Sequence, residues 1–110
     1  MLAQQILTRL FFVHTIIHVD ITYDPAKNSR NIALRGLSFE RAAAFDFLGA
    51  TYLIDDRREY HEVRRIAIGY LDGRLHQLCF VETATGIRVV SFRKANTREA
   101  QRHGKAKKID

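Results

Sequence analysis

Polar and apolar residues alternate over residues 18–23, with Val19, Ile21 and Tyr23 on one side and Asp20 and Thr22 on the other. A period of two predicts a short, half-buried strand. Asp24-Pro25 stops it and opens a helix, because Asp caps a helix N-terminus and Pro suits its first turn. Gly36 is placed to end that helix as its C′ residue. Ser38 caps a second helix, carried by Phe39, Ala42, Ala43 and Asp46 and closed at Gly49. Two short helices with so small a break should fold as a compact αα unit.

Beyond Gly49 the period shortens to that of strands. Thr51 to Ile54 reads as one, followed by the charged loop Asp55-Asp56-Arg57-Arg58-Glu59. Val63 to Leu71 reads as a second, and Asp72-Gly73 is a strong two-residue hairpin signal. Arg74 to Thr83 then returns antiparallel, Ala84-Thr85-Gly86 turns again, and Ile87 to Arg93 forms the last strand. From Asn96 or Thr97 a final basic helix carries Arg98, Arg102 and Lys105. Strand, two helices, an antiparallel meander and a helix make an α+β fold.

The Asp72-Gly73 turn also sets register. With Leu71 opposite Arg74, one face carries Arg64, Ile66, Ile68 and Tyr70 with Leu75, Gln77, Cys79 and Val81. The other carries Ala67, Gly69, Leu71, Leu78 and Phe80. Both faces are substantially apolar, so both should be covered, one by the αα unit and one by the terminal helix or a partner chain. A three-residue turn next would set Glu82 opposite Arg88 and put Arg93 on the face of Arg64. A two-residue turn would swap those parities.

Residues 1–18 stand apart. Ile6, Leu7, Leu10, Phe11, Phe12, Val13, Ile16 and Ile17 are apolar, but Arg9, His14 and His18 interrupt them. The stretch is too short and too broken to span a bilayer, and no small-residue cleavage site follows it. It reads as an extension of uncertain status, either an extra helix or translated sequence upstream of the true start. The domain proper is then residues 19–110.

Composition changes the picture in one place. At 110 residues, 46% apolar and 27% charged, the chain is an ordinary globular length with one core. Its net charge of +6 resides entirely in residues 87–110, where eight Lys/Arg stand against Glu99 and Asp110; residues 1–86 are balanced. Clustered cations repel one another, and counterion release from phosphates rewards the clustering. The choice is between a polyanion grip and a solvated basic tail. Cys79, the single cysteine, forms no internal disulfide, which leaves an oxidising compartment without support and suits the cytoplasm. His14 and His18 lack a third ligand at recognisable spacing, so no metal is expected.

Chemistry follows from the arginines. Singly, a strand arginine is explained by a cross-strand ion pair or by its stem lying over the sheet. Together, Arg64, Arg65, Arg88, Arg93 and Lys94 beside a basic helix favour a phosphate-binding surface, since guanidinium suits bidentate phosphate contact and a charged phosphorane. RNA cleavage through the 2′-hydroxyl needs a proton acceptor, charge neutralisation and a proton donor. His61 and His103 are the candidates for proton transfer near neutrality, with Glu62 and Lys27 behind them. Cys79 between Leu78 and Phe80 belongs to the core. No Gly-rich phosphate loop, paired catalytic carboxylates or Ser-His-Asp set stands out.

Taken in order, Ile21-Thr22-Tyr23-Asp24-Pro25-Ala26-Lys27, Asn31, and Gly36-Leu37-Ser38-Phe39-Glu40-Arg41-Ala42 resemble the opening of the BrnT family. Tyr60-His61-Glu62-Val63-Arg64 with Ile66-Ala67-Ile68-Gly69 resembles its middle strand. Ile87 to Ala95, with Arg98-Glu99, resembles its closing strand and helix. The likeness spans residues 19–103. It implies a RelE-like fold and a metal-independent ribonuclease toxin of a bacterial type II toxin–antitoxin system, with no cofactor. It implies an RNA substrate and a BrnA-like ribbon-helix-helix antitoxin, with operator DNA bound only through that antitoxin and no membrane. Arg64, Arg88 and Arg93 are the positions that carry over as catalytic; the residues themselves add His61 and His103 as catalytic candidates and Lys27, Arg35, Lys94, Arg98 and Arg102 as candidates to touch RNA. Three departures stand out: Leu34-Arg35-Gly36 where many relatives have Lys-His-Gly, Tyr23 where Trp is usual, and His103 in place of a terminal-helix Tyr. Proton transfer done by Lys-His or Tyr in relatives would pass here to Arg35 or His103. The competing readings are a non-catalytic nucleic-acid- or protein-binding module that retains the fold, and a small-ligand domain.

Overall fold

The computed structural model describes residues 20–109, so the expectation for residues 1–18 lies outside the described part. Strand β1 (Asp20–Tyr23) leads into helix α1 (Pro25–Arg35) and a 3₁₀ turn (Phe39–Ala44). Then come β2 (Thr51–Ile54), β3 (Arg65–Leu71), β4 (Arg74–Glu82), β5 (Gly86–Lys94) and helix α2 (Thr97–Arg102). The five strands form one mixed sheet in the order β1-β5-β4-β3-β2. Strand β1 runs parallel to β5, a pairing not foreseen because its partners are 66 residues apart in sequence at Asp20 and Gly86. Gly86 permits it: a Cβ there would sit 2.0 Å from the Asp20 carbonyl oxygen.

Local chemistry accounts for the elements. The Asp24 carboxylate accepts the Ala26 N–H, Pro25 opens α1, and Gly36 at φ 66° closes it, its N–H donating to the Ile32 carbonyl. Ser38 caps the next segment as expected, but that segment is a single 3₁₀ stretch ending at Ala44 rather than a helix running to Gly49. Asp72 and Gly73 both have positive φ, 50° and 75°, as a type I′ hairpin requires. Leu71 accordingly faces Arg74, and Ile66, Ile68 and Tyr70 face Cys79, Gln77 and Leu75.

The two faces of the sheet are covered differently. Ala67, Leu71, Leu78, Phe80, Ile87, Val89 and Phe92 pack under Phe39, Ala42 and Phe45 of the segment after α1. On the other face, Ile68 and Leu75 meet Ala95 and Ala100, so α2 covers only part of it. Helix α2 is six residues long and stops before Lys105: His103 is its C-cap and Gly104 takes φ 61°. The chain then docks. Leu75 N–H donates to the Lys107 carbonyl and Ile109 N–H to that of Gly73, both at 2.7 Å, beyond the end of β5 on the side of β4 away from β3. The backbone of this basic end is thus tied to the sheet, while Lys107 and Lys108 stay exposed.

Candidate phosphate-binding site

Three arginines on non-neighbouring positions share the face that α2 leaves open. Arg93 pairs with Gln77, which lies on the face of Ile68, and Arg88 pairs with Val81, on the face of Cys79. Arg64 immediately precedes β3 and lies on that same side by alternation. Glu82 pairs with Ile87 rather than Arg88, correcting the register expected from a three-residue turn. The reason is the turn, which has two residues, Thr83 N–H donating to the Gly86 carbonyl at 2.9 Å; farther along, Cys79 faces Ser91 and Phe80 faces Val89, so Val90 is an extra, bulged residue that brings Arg93 back to the face of Arg64.

Each guanidinium meets a carboxylate. Glu62 accepts Arg64 Nε through Oε2 at 3.1 Å and Arg88 Nη2 through Oε1 at 2.5 Å. Arg93 donates Nη1 and Nη2 to the two oxygens of Glu99 at 2.9 and 2.6 Å, and Nη2 also to Gln77 Oε1 at 3.1 Å. The pairs are not equivalent. The Glu62 pairs leave Arg64, Arg88 and Glu62 side chains 23%, 39% and 29% exposed, and ion pairs that wet add little to stability. Glu99, by contrast, closes a capping box with Asn96 at the first turn of α2. Arg93 fastens the helix to the sheet, whereas Arg64 and Arg88 share one partly exposed carboxylate, that of Glu62.

The loop between β2 and β3 roofs this cluster. Asp55 is buried and takes Arg57 through Nε at 2.8 Å and Nη2 at 2.9 Å, with the Tyr60 hydroxyl at 3.1 Å. The Arg57 hydrogen bonds, helped by Tyr60, hold the Asp55 carboxyl well below the usual carboxylate range against the opposing cost of burial. Arg64 stacks its Cζ 4.0 Å from the Tyr60 ring centre, a cation–π contact that orients the guanidinium. The Arg88 and Arg64 hydrogen bonds, in that order, lower the Glu62 pKa. Arg57 lies close enough to Arg93 to oppose its positive charge, although the Glu99 hydrogen bond dominates and raises the Arg93 pKa. Arg57, Asp55 and Tyr60 escaped sequence reading because an Asp-Asp-Arg-Arg-Glu run looks like a solvated loop. The one available signal was Tyr60 beside the His61-Glu62 step.

The remaining candidates are dispersed. Lys94 pairs with His76, whose ring stacks on Phe92, so it lies on the opposite face from Arg93. Lys27 and Arg35 are on α1, Arg35 bonding the Asn31 side chain at 2.7 Å. Arg98 and Arg102 are exposed on α2, with Arg102 near enough to help depress the Glu99 pKa. His61 occupies the roofing loop at φ 60°, and His103 ends α2. Arg65, whose pair is Phe80, faces the core side, not the cluster. Cys79 is buried beneath the charged loop, and burial raises its thiol pKa, which fits packing rather than nucleophilic use. Among the described residues no group of three or more His, Cys, Asp or Glu is arranged to hold a metal, and no helix is long and apolar enough to cross a membrane.

No curated protein sequence matches the chain. A family model does, over residues 23–99, which takes in β1's last residue, the whole roofing loop, the three arginines and Glu99. The anion-holding face thus lies inside the matched region, and the chain belongs to the BrnT family, the ribonuclease toxins of type II toxin–antitoxin systems.

Proposed function

We propose that this protein, on a RelE-like scaffold, cleaves RNA by attack of the substrate's own 2′-hydroxyl, with Arg64 and Arg88 gripping the scissile phosphate. The observation that carries this is the single carboxylate held between guanidiniums from β5 and from the residue just before β3. Carboxylate and phosphate oxygens make the same demand on a guanidinium edge, and a phosphorane bears more charge than either. A cradle that accepts one anion weakly in water holds the transition state more strongly than the ground state. Arg93 supports the cradle's floor and adds positive potential. His61 and His103 are the candidate proton donors to the leaving 5′ oxygen.

The attacking nucleophile belongs to the substrate and the charge is met by guanidinium, so the chemistry needs no metal ion or cofactor. Arg98 and Arg102 on α2 extend the positive surface along an RNA strand beside the cradle, while Lys27, Arg35 and Lys94 would touch only RNA that passes around the β5 edge. An antitoxin of BrnA-like ribbon-helix-helix type would neutralise the toxin by laying acidic and apolar groups over this face, with operator DNA bound by the antitoxin alone. The setting for such a pair is the cytoplasm.

The test is cleavage of a labelled RNA in chelator-containing buffer. Fragments ending in 2′,3′-cyclic phosphate and 5′-hydroxyl are expected, and Arg64→Ala or Arg88→Ala should abolish them with the fold retained. One observation favours the alternative of a non-catalytic RNA- or protein-binding module: every arginine of the face already has a carboxylate. That reading predicts salt-sensitive RNA binding with no fragments at all.

A further inference from the structure

Three carboxylates border the arginine face, and two are fully committed. Glu99 accepts both Arg93 nitrogens and the Asn96 backbone N–H. Asp55 accepts Arg57 twice through its side chain, Tyr60 once, and lies buried. Glu62 differs. Its oxygens face only Arg64 and Arg88 among the described residues, and its side chain is partly open to water on an irregular segment before β3.

Resting on the cleavage reading above, we propose that Glu62 is the proton acceptor for the substrate's 2′-hydroxyl, parked in the free protein where the scissile phosphate binds. A phosphate entering between Arg64 and Arg88 takes over both hydrogen bonds, and a rotation of the Glu62 side chain clears the space without moving the strands. The displaced carboxylate stays beside the phosphate it yielded to, and the 2′-oxygen of that nucleotide approaches the phosphorus to about 3–3.5 Å in an attack-ready geometry. Release from the two guanidiniums also makes the carboxylate a better base, since those hydrogen bonds are what hold its pKa down.

The step balances. The 2′-O–H bond breaks and its proton passes to a Glu62 oxygen, while the freed electron pair forms the O2′–P bond. The P–O5′ bond breaks, its pair goes to O5′, and O5′ takes a proton from the donor named above, His61 or His103, which is reprotonated from water. A 2′,3′-cyclic phosphate and a 5′-hydroxyl leave, Glu62 gives its proton to solvent, and the pair with Arg64 and Arg88 re-forms.

The experiment compares parent, Glu62→Gln and Glu62→Asp in steady-state cleavage of a short RNA across pH, with binding of the matching 2′-deoxy oligonucleotide measured in parallel. Glu62→Gln should lower kcat by about 10²–10⁴-fold, leave KM unchanged or lower, and remove the acidic limb of the kcat profile. It should bind the 2′-deoxy strand at least as tightly as the parent, and Glu62→Asp should retain measurable turnover and the acidic limb. Folding of each variant is checked by circular dichroism. A folded Glu62→Gln with kcat within a factor of three of the parent, or with only KM altered, overturns the proposal and leaves the cleavage reading standing. A parent that cuts no RNA overturns the cleavage reading and this proposal with it.

Discussion

Arg93 and Glu99 are joined by two parallel N–H···O bonds, one residue near the end of β5 and the other in the first turn of α2. That bidentate pair has a structural consequence, because a six-residue helix cannot stand alone in water. Its supports are the Asn96 capping box, the burial of Ala95 and Ala100 against Ile68 and Leu75, and this pair.

Acid should therefore loosen α2 first. The Arg93 hydrogen bonds dominate in bringing the Glu99 carboxyl from an ordinary 4.5 down to about 2, with the Asn96 N–H assisting. A depressed carboxyl contributes stability fully above its unfolded pKa, near 4.5, and loses it as pH falls through about 2. With Glu99 only 14% exposed, Glu99→Gln should cost on the order of 1–3 kcal/mol at pH 7. Between pH 4.5 and 2 its stability should fall less steeply than the parent's. Urea melts followed by circular dichroism at stepped pH values would check both.

Arg64 and Arg88 should behave in the opposite way, mattering to RNA and little to the fold. Removing either leaves Glu62 with its other partner and with water, so the melting temperature should hardly change. RNA binding should weaken, and the slope of log K against log salt should fall by about 0.7 for each phosphate of single-stranded RNA that is no longer neutralised. Titration of a non-cleavable 2′-deoxy strand at several salt concentrations reads this directly. An unchanged slope for both variants would separate these arginines from phosphate.

How much of this was legible before the structure depends on whether a local signal existed. The β3–β4 register was, because Asp72-Gly73 forces a two-residue turn and parity follows from it. The convergence of Arg88 with Arg93 was not. They are five residues apart, an odd number, so regular alternation puts them on opposite faces. Only the Val90 bulge restores them to one side, and nothing in Val89-Val90-Ser91 announces a bulge. The parallel β1–β5 pairing, likewise, is a long-range event that Gly86 permits without declaring. Within the site, Arg64, Arg88 and Arg93 were legible as cations, but their partners Glu62 and Glu99 were not, because ion pairing depends on that hidden parity.

His61 offers a way to separate a chemical role from a conformational one. It sits at φ 60°, in the left-handed region that costs a non-glycine residue roughly 1 kcal/mol or more. His61→Gly should relieve that strain and hold or raise the melting temperature, whereas His61→Val should lower it. If the imidazole donates a proton, both variants lose cleavage equally. If His61 only shapes the loop that presents Glu62, His61→Gly keeps near-parental turnover and His61→Val does not. Melting curves and initial rates on the same preparations decide between them.

Asn31 should prove the most stability-critical polar residue of α1. It is 4% exposed, and its Nδ2 donates at 2.9 Å to the carbonyls of both Leu37 and Phe92, while Oδ1 accepts Arg35. One amide thus ties the helix, the turn after it and β5 together, with both amide protons and an acceptor site used. Asn31→Ala would leave buried carbonyls unsatisfied at about 1–3 kcal/mol each, so a total loss of about 2–4 kcal/mol is expected. Asn31→Asp should cost at least as much, since a carboxylate has no proton to offer either carbonyl. Arg35→Ala, by contrast, removes one exposed donor and should cost under about 1 kcal/mol. Denaturant unfolding of the three variants would rank them. A ranking with Arg35→Ala as the worst would place the anchor of α1 in its last-turn guanidinium instead of the buried amide.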